Sequence, residues 1–166
     1  MAHVTGLFWR ALAAFLILPA TIGLVIPWLL APPGVPIHAT GIFILIAGSL
    51  LLLSCVREFY VAGRGTLAPW APPRQVVTSG PYRFSRNPMY IGVVLVLVGW
   101  AIAFQSATLG IYAACITIAF HLRVLTYEEP WLMRTHEREW LAYRARVPRW
   151  LGWRAMRRIK DSERTT

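Results

Sequence analysis

Four apolar runs, at residues 7–30, 37–56, 89–104 and 107–125, dominate this chain of 166 residues. Each is close to the roughly 20 residues that a helix needs to cross hydrocarbon. The third is short and is expected to extend back toward Arg86. With 57% hydrophobic residues, the chain carries more apolar surface than a water-soluble domain of this size can bury. The expected fold is therefore all-α: a polytopic membrane bundle of about four transmembrane helices in a single domain spanning 1–166, with residues 1–57 supplying an N-terminal helix pair. Pro19 and Pro27 kink the first run, which a membrane helix tolerates when neighbours satisfy the freed carbonyls. That run is too long for the apolar part of a cleaved leader, and Ala31-Pro32-Pro33 is a poor cleavage site, so it is expected to remain as a span.

The net charge of +10 suggests nucleic acid until its placement is considered. No Lys or Arg lies in the link at 31–40 or at Gln105-Ser106, whereas Arg57, Arg64, Arg74, Arg83 and Arg86 follow the second run and arginines crowd the chain from Arg134 onward. With an even number of spans these basic regions share one face with Arg10. The positive-inside rule makes that face cytoplasmic, with both termini on it and the basic surface against anionic lipid headgroups. Membrane lipids rather than nucleic acid are the expected macromolecular surroundings. Cys55 and Cys115 fall inside the runs, which argues against a disulfide framework or a metal site and for two packing residues.

The link at 57–82 is rich in Gly and Pro and is expected to be non-helical. Gln105-Ser106 is the tip of an antiparallel hairpin. Residues 130–147 read as an interfacial or cytoplasmic helix, with Pro130 in its first turn and Pro148 ending it. Two polar constellations stand at the cytoplasmic end. Residues 79–92 lead through Gly80, Pro81 and Pro88 into the third run, and the unpaired N–H groups of that helix start, joined by Arg83 and Arg86, suit an anion. A basic collar touching lipid phosphates would use the same residues. Glu128-Glu129, one to two turns beyond His121 and Arg123, are adjacent carboxylates that need a positive partner: Arg123, Arg134 or a cationic ligand. His121 reads as a packing or hydrogen-bonding residue.

Arg86-Asn87-Pro88-Met89-Tyr90-Ile91-Gly92, then Glu128-Glu129, Leu132, Trp140-Leu141-Ala142-Tyr143 and Arg146-Val147-Pro148, resembles the C-terminal half of isoprenylcysteine carboxyl methyltransferases. Phospholipid N-methyltransferases share the order of a glycine-containing span and a Glu-Glu pair. The resemblance covers residues 79–149 and implies a membrane enzyme that moves a methyl group from S-adenosylmethionine to a lipophilic acceptor. Carried over, it implies Tyr82, Arg86, Asn87, Tyr90, Gly92, Glu128 and Glu129 as cofactor contacts, with Arg123 and Glu129 at the reacting centre. Asn87 stands where the family usually has His; it donates and accepts hydrogen bonds but is neither a cation nor a base near neutral pH. A carboxylate or thiol acceptor needs no base, whereas an amine does, which favours an isoprenoid or lipid-like carboxylate or thiol. The alternatives are a sterol-type reductase using NADPH and a non-enzymatic membrane adaptor. The oligomeric state stays open, with Gly92, Gly99 and Gly110 available for close helix packing.

Overall fold

The computed structural model describes residues 20–61 and 76–151. Most of the first run, with Arg10 and Pro19, the glycine- and proline-rich stretch at 63–73 and the basic tail at 154–164 lie outside the described residues. Within them the chain is helical and contains no strand. Helix α1 (Thr21–Leu30) precedes α2 (Ala39–Val61), α3 (Pro88–Ala103) and α4 (Ala107–Arg123). A π turn, Val124–Glu128, joins α4 to α5 (Glu129–Thr135), and α6 (Glu137–Arg146) follows. By length and composition two stretches can cross a membrane, Ala39–Glu58 and Ala107–Thr135; α1 and α3 are apolar but shorter.

Helix α3 is the centre of the bundle. It runs antiparallel to α2, since His38 N–H donates to Ala103 O at 2.9 Å while Glu58, at the far end of α2, reaches Ser79 and Gly80 before the start of α3. The α2–α3 seam is spaced by glycine. A Cβ on Gly48 would lie 2.8 Å from Gly92 O, and one on Gly99 would lie 2.7 Å from Leu45 N, so both positions exclude any side chain. Gly110 faces open space and spaces no helix pair. Val93, Leu97 and Ala113 close the seam between α3 and α4.

Pro27 has no N–H to give to Gly23 O in an α register or to Ile22 O in a π register, so it orphans a carbonyl either way. Both carbonyls find partners on other helices: Trp100 Nε1 donates to Gly23 O at 3.0 Å and Tyr112 Oη donates to Ile22 O at 3.1 Å. Helix α1 is thereby tied to α3 and α4, whose side chains satisfy the carbonyls that a proline in an apolar helix frees.

Three boundaries differ from the sequence expectation. Helix α2 continues past residue 56 to Val61, so the start of the following link is helical. Helix α3 does not extend back toward Arg86: Asn87, at φ −130°, ψ 49°, is outside the helical region because the residue before a proline is pushed from it. At 16 residues, α3 is about 24 Å long. The helix expected over 130–147 is two pieces. Its first part continues α4 through the π turn, and the break falls at His136 (φ −135°, ψ 42°). Helix α6 then folds under the bundle, burying Trp140, Tyr143 and Val147 against Val76, Leu132 and Met133.

Candidate functional site

The turn before α3 is built on Glu58. Ser79 Oγ donates to its Oε2 at 2.6 Å, and Gly80 (φ +55°) presses against its side chain so closely that a Cβ would sit 2.5 Å from Cγ. A left-handed, sterically crowded position of this kind admits glycine alone. The 3-10 turn Gly80–Arg83 then places Tyr82 in a buried cluster with Cys55 and Val77, and its carbonyl accepts from Tyr143 Oη at 2.7 Å. Burial pushes both phenols well above the usual tyrosine range, Tyr82 the more strongly, so both stay protonated.

The glutamate pair divides. Glu128 Oε1 accepts from Tyr90 Oη and, at 2.9 Å, from Arg123 Nε. Its Oε2 has no partner among the described residues, and its side chain is 28% exposed. The Tyr90 ring stacks on Phe120 at 4.4 Å, and Arg123 lies 5.8 Å from the Tyr127 ring centre. The π turn makes this possible: Arg123 and Glu128 are five residues apart, which a regular α-helix would turn away from each other.

Glu129 is enclosed. Arg86 Nη1 donates to Oε1 at 2.7 Å, and Arg149 forks onto both oxygens at 2.7 Å each. The Arg86 guanidinium also lies 5.3 Å from the Trp140 ring centre. Burial is the main influence on Arg86 and lowers its pKa, opposed by Glu129; an arginine starts so high that it stays cationic. The hydrogen bond to Glu129 holds Arg149 above its ordinary value. Arg86 Nε is buried with no hydrogen-bond partner among the described residues, an unspent donor of a kind that folded proteins rarely leave without reason.

The fold therefore brings Arg86, Tyr90, Arg123, Glu128 and Glu129 to one end of the bundle, joined by Asn87, whose Nδ2 donates to Arg149 O at 3.0 Å. Two expected residues are placed differently. Gly92 faces the α2 seam, and Tyr82 is engaged in the buried cluster beneath the turn. The carboxylates are compensated by Arg123, Arg86 and Arg149 rather than by Arg134, which is on the exposed side of α5. His121 accepts a hydrogen bond from Trp150 Nε1 at 3.1 Å. Sequence reasoning held Ser85 only as part of the 79–92 segment and missed Arg149 and Trp150. The signal for them was the Arg146-Val147-Pro148 motif, whose following residue is where the turn returns to the glutamates.

The donor set suits a ligand that carries both signs: an open carboxylate oxygen on Glu128, and a buried Nε–H on Arg86 beside a helix start. A family model described as phospholipid methyltransferase matches residues 36–139. It takes in α2, α3, α4 and the glutamate pair, and ends before Trp140, Tyr143 and Arg149. No curated protein and no solved structure matches the chain.

Proposed function

Because this chain belongs to the phospholipid methyltransferase family, we propose that it is a membrane methyltransferase that takes its methyl group from S-adenosylmethionine and gives it to a lipid-borne nucleophile. The observation that carries the reading is Glu128, held by Tyr90 and Arg123 with one oxygen open. S-adenosylmethionine supplies an electrophilic methyl on a sulfonium, together with an ammonium, ribose hydroxyls and a carboxylate. Glu128 is suited to the ammonium or the hydroxyls, and Arg86 with the first N–H groups of α3 to the carboxylate. Asn87, Tyr90 and Glu129 complete the cofactor region in this reading, which lies within residues 79–149. The Tyr90–Phe120 pair and Tyr127 supply aromatic faces suited to a cation.

Methyl transfer is an in-line displacement, so what the chain must do is hold donor and acceptor in contact and exclude water. Arg123 is half exposed at 51% and is placed to aim an anionic acceptor. The acceptor we favour is a carboxylate or thiol on an isoprenoid or similar lipid. An ammonium acceptor would need a base to take its proton, and in this reading the carboxylate beside the proposed reacting centre, Glu128, is already committed to the cofactor. Four spans, with α1 and α3 crossing alongside the two longer stretches and the arginine-rich end cytoplasmic, would let the acceptor enter from the bilayer and the cofactor from the cytoplasm.

Membranes holding the chain, given methyl-labelled S-adenosylmethionine, should transfer label into the lipid extract, and Glu128→Ala should reduce this to background. Offering prenyl-cysteine, fatty-carboxylate and phospholipid-amine acceptors separately reads out the class. Label in the amine lipids alone would overturn the carboxylate or thiol assignment, and no label in any class would overturn the enzyme.

A further inference from the structure

The segment after α6 crosses the mouth of the site as a strap. Val147 is extended, as the residue before Pro148 must be, and the next carbonyls turn back to the start of α3. Pro148 O accepts from Arg86 N–H at 2.9 Å. Arg149 O accepts from Ser85 Oγ at 3.2 Å and from Asn87 Nδ2 at 3.0 Å. The Arg149 side chain forks onto Glu129, and Trp150 reaches His121 on α4. Three consecutive residues before α3, the second glutamate and α4 are thus bound by three residues, Pro148, Arg149 and Trp150, that lie beyond the family match.

Glu129 spends both oxygens on arginines, so it has little left for a ligand. Its effect passes to Arg86, whose side chain is 8% exposed and is held by Glu129 and the Trp140 ring, while its backbone N–H is tied to Pro148 O. The Nε donor of that guanidinium is buried without a partner among the described residues. An arginine immobilised this thoroughly while keeping a donor unspent is prepared for an anionic group that arrives later.

We infer that Arg149 is a positioning residue. Through Glu129 it fixes Arg86 toward the carboxylate end of the cofactor, and the Val147–Trp150 strap is the outer wall of that site. The inference rests on the cofactor reading given under the proposed function. It separates the glutamates: Glu128 touches the cofactor, whereas Glu129 acts through the arginines on either side of it. A lysine at position 149 keeps the charge but cannot fork onto both carboxylate oxygens, so the geometry and the charge are separable.

The test is calorimetric binding of S-adenosylhomocysteine to detergent-purified wild type, Arg149→Lys and Arg149→Gln. Alongside it run the unfolding temperature of the cofactor-free protein and kcat at saturating S-adenosylmethionine. The expected result is a Kd raised about tenfold in Arg149→Gln, the scale of one lost charge-assisted hydrogen bond, with a smaller rise in Arg149→Lys. Unfolding temperature and saturated kcat should stay near wild type in both. Unchanged affinity in both variants overturns the inference. So does a parallel fall of affinity, stability and saturated kcat, which would make the strap a structural brace only. Failure of folded wild-type protein to bind would instead overturn the cofactor reading beneath it, and this inference with it.

Discussion

The long seam of helix α3 and its N-terminal turn are held by opposite means. Along its length, α3 meets α2 through positions that lack side chains: Gly92 opposite Gly48, and Gly99 against the backbone at Leu45. At its N-terminal turn it is held by Arg86, Asn87 and Tyr90, each bonded to a partner far away in sequence. In a lipid surrounding the hydrophobic effect does not drive apolar helices together, so the seam depends on close van der Waals fit. The site end is held by charge instead, through ion pairs of Arg86, Arg123 and Arg149 with the two glutamates. The difference separates stability from function: the seam can be damaged without touching a polar group, and the site can be emptied without disturbing the seam.

The largest effect should come from breaking the seam. Gly48→Leu pushes a side chain into the Gly92 carbonyl and the Val96 backbone, and should cost about 3 kcal/mol or more of stability, since overpacking a tight contact forces the backbone apart. Thermal unfolding in detergent measures it. Next, Glu128→Ala should lower cofactor affinity about a hundredfold, the scale of losing one or two charge-assisted contacts, while the unfolding temperature of the cofactor-free protein changes little. Titration calorimetry and a melting curve on the same sample read both. If Glu128→Ala instead melts the protein as Gly48→Leu does, the separation of seam and turn is wrong.

A smaller effect belongs to the α1 contact. Trp100→Phe keeps a ring but withdraws the donor to Gly23 O, and should cost about 1 kcal/mol; crosslinking between α1 and α3 would show whether α1 loosens first. Least of all, Ser106→Ala removes the side-chain oxygen that accepts from Leu109 N–H at the start of α4. The loss should be about 0.5–1 kcal/mol, seen as a small shift in unfolding temperature with cofactor affinity untouched.

The apolar periods and the turn at Gln105-Ser106 were legible in the sequence because each rests on local chemistry. So was the meeting of the Arg86–Gly92 segment with Glu128-Glu129, since an antiparallel hairpin returns its ends to the same depth. What was not legible depended on tertiary choice. Gly92 could have faced a ligand or a helix, and only the position of α2 decides for the helix. The partners of the glutamates depended on the π turn that swings Arg123 onto Glu128, and on the break at His136 that lets Arg149 return to Glu129. Neither a π turn nor a kink at a histidine has a composition signal. Arg134 was expected as a partner because it lies close along the chain, yet it is on the exposed side of α5, and the distant Arg149 takes the place.

The most direct test of the account is binding of S-adenosylmethionine to purified wild-type protein and to Glu128→Ala, both shown to be folded by their helical circular dichroism. The account predicts saturable binding of one equivalent to wild type and binding weakened about a hundredfold in the variant. Folded wild type that binds no cofactor, or a Glu128→Ala protein that binds as wild type does, would contradict it.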